Sequence, residues 1–103
     1  MPELAFLLLA AHFVCDYPLQ GDFLARAKAE GPLRIWHLLG HSAIHGGAVA
    51  LITGVAWLGI LETVAHMLID EAKVRDRISF ATDQALHVAS KVLWLALIIA
   101  GAA

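Results

Sequence analysis

Four pairs of side chains able to bind metals or move protons recur at one spacing: His12 and Asp16, His41 and His45, His66 and Asp70, Asp83 and His87. Residues four apart on a helix share a face, so each pair projects in one direction. Imidazole and carboxylate are the side chains that hold zinc, iron and manganese. Facing helices of a bundle are an established way of assembling dinuclear centres. The spacing predicts these eight residues as ligands of one or two divalent transition-metal ions, zinc first, with iron or manganese as the alternatives. Asp70 and Asp16 are the carboxylates expected to bridge two ions or to serve as general base. Gln20 and Gln84 lie beside the pairs and are expected to hydrogen-bond a ligand or a substrate oxygen. His37 precedes His41 by one turn, nearer the interface, and Lys91 follows His87 by one turn, where it either pairs with an acid inside the bundle or snorkels; both are expected to support the ligands or the substrate. Glu62, one turn before His66, is expected at the opposite interface or in a packing contact. The competing reading is a polar network of His and Asp that holds the helices together without a metal.

Something must carry these pairs to one place. Hydrophobic residues make up 60% of the 103 residues and charged ones 16%, against ~25% charged in an ordinary soluble domain. A chain this short has room for one domain, 1–103, and needs more polar cover than this in water. Lipid is the simple partner for the apolar excess. Pro2 and Glu3 suit a helix start, and Tyr17 before Pro18 predicts its end. Residues 18–33 read as a polar connection holding a short interfacial helix over Phe23 to Ala29, capped by Asp22. From Ile35 to Leu61 no residue carries a formal charge. This stretch is too long for one ~20-residue span and too short for two. It is read as a helix over about 34–55, a turn near Gly54 to Gly59, and a further helix to about Arg75. A last helix is predicted from Thr82, as N-cap, to Ala100. The fold class is thus all-α, an integral-membrane up-down-up-down four-helix bundle with a short interfacial helix in its first connection. In that topology all four pairs fall at the same end.

The four motifs, His12-Phe-Val-Cys-Asp16-Tyr-Pro-Leu-Gln20, His41-Ser-Ala-Ile-His45, His66-Met-Leu-Ile-Asp70-Glu-Ala-Lys73 and Asp83-Gln84-Ala-Leu-His87, resemble a family of small bacterial and phage membrane proteins. That family is classified only as a domain of unknown function. The resemblance covers nearly the whole chain and implies the fold and the site, but no reaction. In general style the pattern is also similar to membrane-bound metal-dependent hydrolases.

Charge orients the bundle. Arg26, Lys28, Arg34, Lys73, Arg75 and Arg77 are six of the seven basic residues, and all lie in or beside the two connections at the polar end. The positive-inside rule places those connections in the cytoplasm and both termini outside. With the bacterial resemblance, the expected location is the inner (plasma) membrane, as a multi-pass protein. The first apolar stretch lacks the basic flank of a cleavable signal. A net charge of −2 gives no reason to expect nucleic acid. A lone Cys15 excludes an intrachain disulfide and reads as an inert small apolar residue.

The expected partners are the bilayer and an anionic lipid or small-molecule substrate, with self-association left open. The expected function is a metal-binding membrane protein acting as a metal-dependent hydrolase at the cytoplasmic face. A structural or partner-binding protein and a proton or metal-ion transporter are the alternatives. A ferritin-like oxidase is disfavoured because Glu-x-x-His motifs are missing.

Overall fold

Local chemistry sets the ends of each helix. The computed structural model describes residues 1–103, with α1 at Pro2–Asp16, α2 at Gly21–Ala27, α3 at Arg34–Thr53, α4 at Ala56–Val74 and α5 at Phe80–Ile99. Pro2 opens α1, where its missing N–H is no loss. The chain leaves α1 at Tyr17, ahead of Pro18, and α2 then runs at 83° to α1. This α2 begins at Gly21 rather than Phe23, and Asp22 sits inside its first turn without capping it.

The turn between α3 and α4 is tighter than the expected Gly54 to Gly59. Gly54 adopts φ 72° and Val55 is extended, so α4 starts at Ala56. Thr53 Oγ1 donates to the Val49 carbonyl (2.7 Å) and accepts from the Val55 N–H (3.2 Å), which ties the reversal. Gly59 serves another purpose. It lies within α4 facing Gly46 of α3, and a Cβ on either would collide with the other's carbonyl oxygen. Small residues let two helix backbones approach this closely. The cap of α5 also differs from expectation. Ser79, not Thr82, is the N-cap, and its side chain accepts from the Thr82 N–H at 3.1 Å. A hydroxyl three residues upstream of a free N–H is the preferred cap geometry, and both residues carry one.

The long helices form a closed ring, α1 against α3 and α5, and α4 against α3 and α5, with α2 laid on α3. The molecule is 41 Å long and 23 × 22 Å across. The two halves of its interior differ. One holds a dry layer of Leu8, Val49, Leu58 and Trp94. The other holds imidazoles and carboxylates. Ten of the buried side chains are polar or charged and six are apolar, while 26 large apolar side chains are exposed, Leu51 (87%), Phe6 (69%) and Leu68 (68%) among them. This is the reverse of a water-soluble domain, where buried polar residues are the exception. Of the individual helices, α3 meets the usual length and apolarity of a membrane span; α1 and α2 meet it only if taken together across their bend.

Candidate metal centre

His12 and Asp16 come from the last two turns of α1, His41 and His45 from the first half of α3, His66 and Asp70 from the second half of α4, and Asp83 and His87 from the start of α5. Their meeting requires consecutive long helices to alternate in direction. The i, i+4 spacing then turns every pair inward. His12, His41, His45, His66 and His87 are all at or below 2% exposure.

The five rings point the same nitrogen inward. Asp16 receives Nε2 of His45 at 2.9 Å, of His41 at 3.4 Å and of His12 at 3.5 Å. Asp70 receives Nε2 of His87 at 3.2 Å, of His41 at 3.4 Å and of His66 at 3.5 Å. Nε2 of His41 and of His66 face each other at 3.2 Å. Asp83 lies 3.4 Å from His87 Nε2 and accepts from the Gln84 amide at 3.0 Å. The rings themselves stack, His45 on His66 with centroids 3.7 Å apart and His66 on His87 at 4.1 Å. Two sets of atoms are close enough to share an ion: Asp16, His41, His45 and His66, and His66, Asp70 and His87. Both sets include His66.

This donor set fits a divalent cation. A neutral imidazole has one proton and one lone pair on its two nitrogens. Each of the five inward nitrogens lies within 3.2 Å of a carboxylate oxygen, an amide oxygen or another ring nitrogen. A cation accepts several lone pairs at once, which protons do not. Charge points the same way. Asp16, Asp70 and Asp83 meet one ammonium in direct contact, Lys28 Nζ at 2.8 Å from Asp70, so neutral imidazoles leave two excess negative charges. Zinc, iron and manganese centres accept such mixed His and carboxylate sets.

A cavity of about 440 Å³ adjoins the cluster at the polar end, lined among others by Asp16, Gln20, Lys28, Asp70, Lys73 and Gln84. It is flanked by the connections 17–20, 28–33 and 75–79. The opposite end is closed by the dry layer.

All eight expected ligands are thus brought together. Gln84 lies among them, its Oε1 3.1 Å from His12 Nε2 and its amide 3.5 Å from Asp16. Gln20 reaches the cavity wall but donates to the Asp16 carbonyl (3.4 Å), not to a ligand side chain. His37 does not join: its ring packs edge-on against Phe23 of α2, centroids 5.5 Å apart. Lys91 is buried below the cluster in an ion pair with Glu62. Of the two expectations for Glu62, the structure shows the packing contact and not the interface: it is fully buried beside His66, Lys91 and Trp94. Its signal was the continued four-residue step, 62, 66 and 70. Lys28 was read as a topology charge, and its contact with Asp70 depends on how α2 folds back over the bundle, which no motif encodes. No curated protein and no solved structure matches the chain. A family model matches it over residues 4–102, and the chain therefore belongs to the family described as protein of unknown function, DUF3307.

Proposed function

We propose that this protein is a membrane-embedded metal-binding protein whose centre hydrolyses an anionic or lipid-linked substrate at the cytoplasmic face. The observation that carries the reading is the convergence of five imidazole nitrogens on Asp16 and Asp70 directly beneath a cavity. The inverted burial supports the membrane setting. Ionisable residues in membrane helices face the bundle interior and are retained for a task. On this reading α1, α3, α4 and α5 cross the bilayer and α2 lies in its interface. The 15 residues of α1 span ~22 Å at 1.5 Å each, so the bilayer thins locally or the polar end sits at headgroup depth.

A divalent ion held by the His and Asp ligands would lower the pKa of a bound water to about 7 and supply hydroxide. The chain's own groups do the rest. Asp70, on the cavity wall, is the carboxylate placed to take a proton from an incoming water. Lys28 and Lys73 on the same wall favour an anionic group. Access runs from the cytoplasmic side past the 17–33 connection, or sideways from the inner leaflet. The layer of Leu8, Val49, Leu58 and Trp94 gives a proton or ion no polar lining on the far side, which favours a one-sided site over a transporter.

Asp70→Asn tests this. With phosphatidic acid in detergent micelles as the probe, because it carries both phosphate and ester bonds, turnover should fall to background while helical content stays unchanged by circular dichroism. The reading is contradicted if X-ray absorption of the metal-loaded protein finds every coordination position filled by side chains. A structural metal site would then take its place.

A further inference from the structure

We propose that Glu62 is a positioning residue for His66: it fixes which of the His66 nitrogens carries the proton and thereby presents the other to the metal. This rests on the metal reading above and deepens it. Glu62 is completely buried, one turn before His66 and on the side away from the cavity. Its Oε1 accepts from the Trp94 indole N–H at 3.3 Å and pairs with the Lys91 ammonium. Its Oε2 lies 3.6 Å from His66 Nδ1, and neither of those two atoms has a hydrogen-bond partner. A carboxylate against a ring lone pair is repulsive, whereas a carboxylate against an N–H is attractive. The proton therefore belongs on Nδ1, and closing the gap by roughly half an ångström completes the hydrogen bond. Nε2 is left with its lone pair, which faces His41 Nε2 at 3.2 Å and Asp70 at 3.5 Å; beside that second carboxylate the lone pair is favourable because the ion of the metal reading would lie between them.

His66 is the ring for which this matters most. It belongs to both sets of candidate ligands, and its Nε2 faces His41 Nε2 at 3.2 Å and Asp70 at 3.5 Å. Nδ1 of His12, His41 and His87 is likewise buried without a partner, but among the five rings His66 alone has a carboxylate facing its Nδ1. Lys91 explains how the carboxylate can be there. Ion-paired with Glu62, it cancels the added negative charge, so the ring gains an acceptor and the centre's charge is unchanged. A metal-bound histidine is commonly oriented by a carboxylate on its second nitrogen, which also makes it a better donor.

Two double variants separate positioning from packing. Glu62→Met with Lys91→Met removes both charges and the acceptor at similar volume. Glu62→Gln with Lys91→Met removes both charges but keeps a carbonyl oxygen for Nδ1. Zinc affinity is measured by competition with a chromophoric chelator, and cobalt(II) absorption reports on the ligand field. The Met/Met variant should bind zinc about 10- to 100-fold more weakly, with shifted cobalt bands and an unchanged melting temperature in the metal-free form. The Gln/Met variant should recover most of the affinity and the wild-type cobalt spectrum. Wild-type affinity and spectrum in the Met/Met variant would overturn the proposal and leave the metal reading intact. Failure of the wild-type protein itself to bind zinc or cobalt would overturn both.

Discussion

His41 is the residue that bears most directly on the metal reading. Its Nε2 is 3.2 Å from His66 Nε2 and 3.4 Å from oxygens of both Asp16 and Asp70. One proton can serve one of those three neighbours, whereas an ion at that junction would take lone pairs from all of them at once. Replacing His41 and His45 together by alanine should abolish metal binding. It should also destabilise the fold, since ligand binding contributes to folding free energy. With free zinc a thousandfold above Kd, that contribution is about 4 kcal/mol. The check is a thermal melt of wild type and variant with and without zinc: the zinc-dependent rise in melting temperature should vanish in the variant, and an undiminished rise would contradict the assignment. The eight clustered residues were legible because each pair repeats the four-residue step of a helix face. The same step continues through 62, 66 and 70 and through 83, 87 and 91, yet Glu62 and Lys91 were ambiguous. Spacing gives the face and not the depth at which an acid meets its base. His37 extends the step on α3 as well, but at the rim, where Phe23 of α2 covers it.

Helix existence was easier to read than helix ends. The uncharged stretch from Ile35 to Leu61 announced a hairpin, but two glycines competed for the turn. Gly54 takes it because only there does the backbone need positive φ, whereas Gly59 is required by the approach of α3. Ser79 and Thr82 were both competent caps, and the sequence alone does not say which hydroxyl meets which N–H. The short α2 was expected between residues 22 and 29, and its near-perpendicular setting to α1 suits an interfacial helix. The orientation proposed from the basic connections can be tested. With the connections around Arg26 and Ser79 on the cytoplasmic side, Arg26→Cys and Ser79→Cys should resist a membrane-impermeant maleimide in intact cells and react once the cells are permeabilised. Native Cys15 is 3% exposed, so the background is low. Labelling of both positions in intact cells would invert the orientation.

The molecule as a whole is built inside out. A polar interior at one end, a dry plug at the other and an apolar exterior make sense together when the exterior meets lipid and the polar interior holds a charge. Composition made the apolar exterior legible, and helix polarity made the common end of the four pairs legible. What the sequence withheld was the shape of the cavity, because its helical wall residues, Asp16, Asp70, Asp83 and Gln84 among them, are joined there by Lys28 and Asp76 of connections whose path is set by packing. The proposed chemistry stands on the presence of an ion at the junction of the four helices. Elemental analysis of the protein, extracted from its native membrane without a histidine tag and without chelators, tests this most directly. One or two equivalents of a transition metal per chain, zinc foremost, are expected, lost on replacing His41 and His45. Stoichiometrically metal-free protein that is folded, and that takes up no zinc, iron or manganese when these are supplied, would contradict the account and leave the histidines and aspartates as a polar network alone.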